Sequence, residues 1–140
     1  MLDRERALSK IDELDGYLGE IEEIMPLSLV EYKRTEKKRS CERLIQLSIE
    51  CLMDVCRIFV SGLRLGLPND ATDVFDKLKD KGILTGEMNI LLKEMRGFRN
   101  ILVHEYASVD DELVYEVLAK RIEDIRKFKS EILRSLEKFK

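Results

Sequence analysis

The sequence predicts an all-α protein, an up-and-down helical bundle that forms a single domain over residues 1–140. Of the 140 residues, 44% are hydrophobic and 38% charged, which is typical of a globular chain with a real core. Seven glycines, two prolines and no tryptophan leave little material for a turn-rich β fold. Apolar residues recur at intervals of three and four, and no segment alternates as a strand would.

The first predicted helix covers residues 2–25. Its buried face is expected to consist of Leu8, Ile11, Leu14, Leu18, Ile21 and Met25. Pro26 ends this helix, because an interior proline lacks a backbone donor and clashes with the preceding turn. A short helical segment is expected within residues 27–32.

The most apolar helix is predicted over residues 39–65. Its main seam consists of Ile45, Ile49, Leu52, Cys56, Phe59 and Leu63. A helix that is apolar over most of its circumference is buried on several sides, so this should be the central helix, and its excess apolar face favours a second subunit. Cys51 and Cys56 lie in this apolar run and are expected to be buried free thiols.

Three further helices complete the prediction. Asn69 or Asp70 caps a short helix that reaches Lys81, and Gly82 takes the left-handed position that ends it. Thr85 caps the next helix. Its apolar stripe is Met88, Leu91, Leu92, Met95 and Leu102, and the last helix, over residues 111–139, starts from a cap at Ser108 or Asp110.

Charge and composition narrow the function classes. The net charge of −3 gives the whole chain no general attraction for nucleic acid, so any RNA contact requires a local patch. The sequence has neither a run of about 18 apolar residues nor an apolar signal core, so we expect a cytoplasmic protein. One histidine and no close cysteine pair make a zinc site improbable, and we expect no metal and no cofactor.

One basic patch lies in residues 33–43, with six cations and two anions. Such a stretch is either the solvated start of a helix or a surface that meets phosphates. The candidate RNA-contacting residues are Lys33, Arg34, Lys37, Lys38 and Arg39. Its position relative to His104 decides between the two interpretations.

Two carboxylates, Glu50 and Asp54, lie one turn apart on the polar side of the central helix. They are either a supporting pair for chemistry or members of ion pairs with Arg57 or a neighbouring helix.

The strongest functional signal is the segment 93–106, which contains the only histidine of the chain. Arg99 is always charged and presents a planar fork that fits phosphate oxygens, while the pKa of a histidine such as His104 ordinarily lies near neutrality. Asn100 lies one turn before His104 and can orient the imidazole, Tyr106 adds a hydroxyl, and Arg96 shares a face with Arg99. Arg99 and His104 are five residues apart, which on a regular helix places their side chains about 140° apart around the axis.

Metal-free RNA cleavage requires activation of the ribose 2′-hydroxyl, stabilisation of extra negative charge and protonation of the leaving oxygen. One arginine and one histidine supply two of these functions. The two groups converge if the helix unwinds before His104 or if a second copy brings its own pair, so a homodimer is part of the hypothesis. The competing interpretation is a structural histidine near a helix C-terminus.

Three segments resemble the HepT-like toxins of the HEPN superfamily. RNILVHEY (99–106) resembles the family's RxxxxHxY motif, and RSCERLIQLSIE (39–50) resembles the entry to its long helix. KGILTGEMNILLKEMRGFRNILVHEY and VDDELVYEVL resemble its second half, so that the similarity covers roughly residues 35–130.

The resemblance implies a homodimeric HEPN bundle and a metal-independent ribonuclease toxin of a type VII system, with Arg99 and His104 as the catalytic pair. It also implies an antitoxin partner, a minimal nucleotidyltransferase of the MntA type that uses ATP and magnesium on its own chain. That enzyme would transfer AMP to Tyr106, where added phosphate would occupy Arg99 and repel RNA. The alternatives are a non-catalytic nucleotide- or partner-binding module that acts with a nucleotidyltransferase, and a purely structural helical dimer.

Overall fold

Four long helices and two short ones form in the part of the chain that the structure describes. The computed structural model describes residues 1–105 and 108–139, and no strand forms in these ranges. In chain order the helices are α1 (Arg4–Ile24), α2 (Leu29–Tyr32), α3 (Thr35–Gly62), α4 (Asp73–Asp80), α5 (Gly86–His104) and α6 (Asp111–Lys138). The all-α prediction is confirmed.

Side-chain contacts establish the helix directions. Between α1 and α3, Lys10 pairs with Asp54, and Lys37 donates to the carbonyl oxygen of Ile24, so the two helices are antiparallel. The same opposite order joins α5 with α6 and α6 with α1. The pairs are Thr85–Glu131 and Glu94–Arg121 for the first junction, and Asp15–Lys129 and Glu22–Arg126 for the second. The up-and-down bundle is therefore confirmed.

Helix α3 is the centre of the bundle, as the sequence predicts, because every other helix packs against it. Its buried residues include Ile45, Ile49, Leu52, Phe59 and all three cysteines, which are free thiols. None of the helices in the described parts of the chain combines the length and apolar content needed to cross a bilayer.

The prediction for α1 is wrong at one position of the buried face. Leu8 is 42% exposed, and the preceding Ala7 is fully buried in its place. The four remaining predicted positions within α1, from Ile11 to Ile21, are buried as expected. Ala7 lies one turn before Ile11 on the buried face, whereas Leu8 lies about 100° further round the helix axis and faces solvent.

Most caps follow the sequence prediction. Thr85 Oγ1 accepts from the backbone N–H of Met88, and Asp110 caps α6. Gly82 ends α4 with φ +81°, the left-handed conformation that glycine adopts at no steric cost. Asp70 binds the backbone N–H groups of Thr72 and Asp73 ahead of α4, so this helix starts later than the sequence indicates.

Helix α3 begins at Thr35, four residues before the predicted start, and this difference places most of the basic stretch inside the helix. Lys33 and Arg34 precede the helix, and the remaining four cations lie within its first three turns.

Candidate Arg–His site

Arg99 is anchored between α5 and α3. Its Nε and Nη2 donate to Oε2 of Glu50 at 2.8 and 2.6 Å, and Nη1 donates to Oδ1 of Asn100 at 3.0 Å. The side chains of Arg99 and Glu50 retain 26% and 32% exposure, so the pair lies at the surface end of the helix contact and is reachable from solvent. The motif arginine is thus held in one orientation before any ligand arrives.

Glu50 is the acceptor that organises this contact. Gln46, one turn earlier on α3, donates from Nε2 to the same Oε2 at 3.1 Å. Burial opposes ionisation of the carboxyl, but the hydrogen bonds from Gln46 and Arg99 and the charges of Arg99 and Arg43 outweigh it and lower the pKa of Glu50. Glu50 is therefore a carboxylate at neutral pH and holds Arg99 by charge as well as by geometry.

His104 is the last residue of α5 and is exposed. The helix is continuous from Arg99 to His104, so the two side chains leave its axis about 140° apart. The carboxamide oxygen of Asn100 accepts from Arg99, and no hydrogen bond joins Asn100 to His104 in the described structure. Within one chain the imidazole and the guanidinium therefore do not point to a common spot.

The other motif residues are placed around this pair. Arg96 is half-buried one turn before Arg99. The chain turns after His104, where the N–H of Glu105 donates to the carbonyl of Ile101 at 2.9 Å. Tyr106, the expected site of AMP transfer, lies outside the described residues.

Asp54 does not join Glu50 at Arg99. Its carboxylate pairs with Arg57 at 3.0 Å and with Lys10 of α1 at 3.5 Å, one turn further along α3. The two carboxylates thus form separate ion pairs to two neighbouring helices, the arrangement that the alternative interpretation expects.

The five basic candidates differ in their surroundings. Lys33 and Arg34 are exposed before α3. The other three make protein contacts: Lys37 with the Ile24 carbonyl and Glu31, Lys38 with Asp111 at 3.3 Å, and Arg39 with Glu42 at 2.8 Å. The stretch is thus partly occupied in holding the bundle together.

The position of the basic stretch relative to His104 follows from two contacts. Glu50 meets Arg99, and Lys38, twelve residues earlier on α3, meets Asp111, twelve residues later than Arg99. The start of α6 therefore lies nearer to the N-terminus of α3 than Arg99 does. His104 lies on the basic side of Glu50.

Sequence reasoning left out two residues of this neighbourhood, Gln46 and Arg43. Gln46 binds Glu50 directly, and Arg43 acts on it through charge. The signal was helical spacing, because positions four and seven residues before Glu50 lie on its face of α3.

The arrangement is suited to anion chemistry. A guanidinium has five N–H donors, of which Arg99 uses one on each nitrogen for Glu50 and Asn100. Two donors remain for an incoming oxyanion. His104 adds an exposed group whose class can exchange protons near neutral pH.

Comparison with known proteins gives a consistent family. The family model described as Ribonuclease HepT-like matches residues 14–132. The mRNA nuclease HepT of Shewanella oneidensis is 30% identical over 84 residues, which are 60% of this chain and 63% of that protein. The tRNA nuclease HepT of Aphanizomenon flos-aquae is 28% identical over 112 residues, which are 79% of this chain and 76% of that protein.

A solved structure has the same fold. It is a tri-AMPylated HEPN toxin from Shewanella oneidensis in complex with an MNT antitoxin, with a TM-score of 0.85 and 24% identity. The superposition covers 96% of this chain and 99% of that one. The HEPN-like helical architecture extends through almost the whole chain.

Proposed function

This chain belongs to the HepT-like ribonuclease family, and we propose that it is a metal-independent endoribonuclease, the toxin of a toxin–antitoxin pair, with Arg99 and His104 as its catalytic groups. The observation that carries the proposal is the anchoring of Arg99 by Glu50 and Asn100, five residues before an exposed His104.

Arg99 would bind the scissile phosphate. Its three protein contacts fix the plane of the guanidinium, and its two remaining N–H groups can donate to phosphate oxygens. Pre-oriented donors stabilise developing charge without reorganising during the reaction. Glu50 and Asn100 act through Arg99 as positioning residues.

His104 would move the protons. The ribose 2′-oxygen attacks the adjacent phosphorus and loses its proton to a base, while the 5′-oxygen departs and takes a proton from an acid. The products are a 2′,3′-cyclic phosphate and a 5′-hydroxyl, and no metal or redox partner is needed to balance the step. An imidazole performs either proton transfer near neutral pH.

A second copy of the chain would complete the site. The continuous helix keeps Arg99 and His104 of one chain about 140° apart, so convergence has to come from a partner motif. A two-fold axis beside α5 would place the arginine of each protomer against the histidine of the other. The homodimer is thus a mechanistic requirement of the proposal.

The partner would be a nucleotidyltransferase antitoxin, by analogy with the MNT antitoxin complex of the structural relative. AMP transfer to Tyr106 would add an anionic phosphate two residues from His104. That phosphate would compete with RNA for Arg99 and repel the substrate backbone.

The test is whether the protein cleaves RNA in the presence of EDTA. Total RNA is the substrate, because the relatives are named as an mRNA nuclease and a tRNA nuclease. The wild type should release 2′,3′-cyclic phosphate ends, and Arg99→Ala and His104→Ala should not. Arg134→Ala, an exposed arginine of α6, is the matched control and should cleave normally. Intact RNA with unmodified, folded wild type would instead support the binding-module alternative, and cleavage by both motif variants would refute the assignment.

A second experiment tests the regulation. Incubation with ATP, magnesium and the nucleotidyltransferase should add the mass of AMP to the wild type and not to Tyr106→Phe. Addition at another residue, located by peptide mass spectrometry, would overturn the assignment to Tyr106.

A further inference from the structure

A groove runs between the C-terminal half of α1 and the N-terminal half of α3. Its volume is about 550 Å³, and its α3 wall carries Arg39, Ser40 and Arg43. A second groove of about 290 Å³ continues past Ser40 to Lys37 and Arg34. The α3 side of the combined surface is therefore strongly basic.

The groove begins on the face of α3 that holds Arg99. Arg43 and Arg39 precede Glu50 by seven and eleven residues, which places both within about 20° of it around the helix axis. The charge of Arg43 is among the influences that lower the pKa of Glu50. The groove and the Arg–His site thus share one stripe of α3.

The direction of the motif also leads towards Arg43. Because α5 runs antiparallel to α3, His104 lies about 7 Å beyond Arg99 in the direction of Arg43 and away from Arg57. The ion pair of Lys38 with Asp111 places the first turn of α6 on the same side of Glu50. A strand leaving the site in this direction meets the groove first.

Arg43 is available for a ligand. It is exposed, and its side chain makes no hydrogen bond or ion pair within residues 1–105 and 108–139. By contrast, Arg57, the next arginine on the other side of Glu50, is paired with Asp54. The α1 wall carries Glu20 and Glu23, which would keep a polyanion on the α3 side of the groove.

We infer that this groove binds the phosphate backbone of the RNA strand next to the scissile phosphate, with Arg43 as its principal contact. The inference rests on the proposed ribonuclease function. It assigns the main RNA contact to Arg43 and not to the stretch 33–39 as a whole, since Lys37 and Lys38 make contacts within the protein.

The test measures binding of a fluorescent single-stranded RNA in the His104→Ala background, so that the RNA stays intact. Adding Arg43→Ala should weaken binding about tenfold, the size of one lost charge-assisted hydrogen bond. It should also reduce the slope of log K against log salt by about 0.7, the value for one phosphate contact to a single strand. Arg43→Lys should retain most of the affinity, and Arg134→Ala should match the parent in affinity and slope.

Equal affinity and slope for Arg43→Ala and its parent would overturn the inference, as would a loss of antitoxin binding with unchanged RNA binding. Circular dichroism verifies folding, and Arg43→Gln provides a second variant that keeps side-chain length. Wild-type cleavage of the same RNA separates the two proposals. Arg43-dependent binding without any cleavage would sustain the groove and refute the nuclease, whereas cleavage with Arg43-independent binding would do the reverse.

Discussion

Arg99 donates two hydrogen bonds to a single oxygen of Glu50, at 2.8 and 2.6 Å, and so joins α5 to α3 at the motif. The same oxygen also accepts from Gln46. One carboxylate oxygen therefore fixes the orientation of the arginine on which phosphate binding would depend. The helix junction and the proposed site share this contact, so stability and activity should be coupled through it.

Removal of the Glu50 charge should reduce both the stability of the fold and the rate of RNA cleavage. In Glu50→Gln the side-chain shape persists, but the charge-assisted contact to Arg99 is lost, so we expect the free energy of unfolding to fall by about 1 kcal/mol. The kcat for RNA cleavage should fall about tenfold as Arg99 loses its orientation. Asp54→Asn, one turn along α3 and paired with other cations, is the control and should change the free energy of unfolding by less than about 0.5 kcal/mol. Equal kcat in wild type and Glu50→Gln would show that Arg99 needs no anchor.

The Glu50 contact should also weaken in acid. Its pKa is lower in the folded protein than the ordinary value of 4.5, so the ionised carboxylate stabilises the fold above that pH and the contribution disappears as the pH falls through the folded pKa. The stability difference between wild type and Glu50→Gln should therefore be full at pH 7 and shrink below pH 4.5. Urea denaturation of both proteins at several pH values measures it. A difference that stays constant down to about pH 2 would contradict the prediction.

The sequence was sufficient to predict the helices and the Arg–His motif, but not the contacts that the motif residues make. Apolar periodicity placed α1, α3, α5 and α6, since each buries one continuous face against the core. The pairing of Glu50 with Arg99 joins residues 49 positions apart, and no local pattern specifies which face of α3 meets α5. For the same reason, the sequence could not predict that Glu50 pairs with α5 and Asp54 with α1.

Local errors also had local causes. Ala7 continues the spacing of the buried positions of α1, which run from Ile11 to Ile21, whereas Leu8 lies about 100° from the centre of that face and was predicted to be buried only for its larger apolar side chain. The start of α3 was predicted at residue 39 and lies at Thr35, because charged side chains carry little information about helix position. Burial of the following turns then extends α3 through them.

Arg64 adopts the left-handed conformation after α3, with φ 54°. Its N–H donates to Ser61 and that of Leu65 to Val60, the same pair of bonds that Gly82 and Ile83 make after α4. Because a side chain is disfavoured there, Arg64→Gly should raise the free energy of unfolding by about 1 kcal/mol. Gly82→Ala should lower it by a similar amount. Denaturant unfolding of both variants checks the opposite signs, and a loss of stability in Arg64→Gly would show that its side chain outweighs the strain.

Gly62 marks the closest approach of α3 to the N-terminus. A Cβ at this position would lie 2.8 Å from Cα of Leu2, a backbone atom that cannot move without displacing the start of α1. Gly62→Ala should therefore destabilise the protein by about 1–3 kcal/mol. Gly16→Ala is the matched variant within α1, where a Cβ meets nothing within 4 Å, and it should stabilise by about 0.5–1 kcal/mol. Thermal unfolding measures the change in Tm of each variant. A shift of Tm in the same direction in both variants would contradict the prediction.

A composite site predicts complementation between inactive variants. If the arginine of one protomer acts with the histidine of the other, a heterodimer of Arg99→Ala and His104→Ala contains one intact site and one doubly damaged site. Random exchange makes about half of the dimers mixed, so the mixture should recover about one quarter of wild-type cleavage, although each variant alone is inactive. Native mass spectrometry verifies the exchange, and the double variant Arg99→Ala/His104→Ala mixed with either single variant is the control and should recover nothing. An inactive mixture in which heterodimers are verified would exclude the crossed arrangement. It would mean either that both groups of each site come from one chain or that cleavage requires both arginines and both histidines of the dimer.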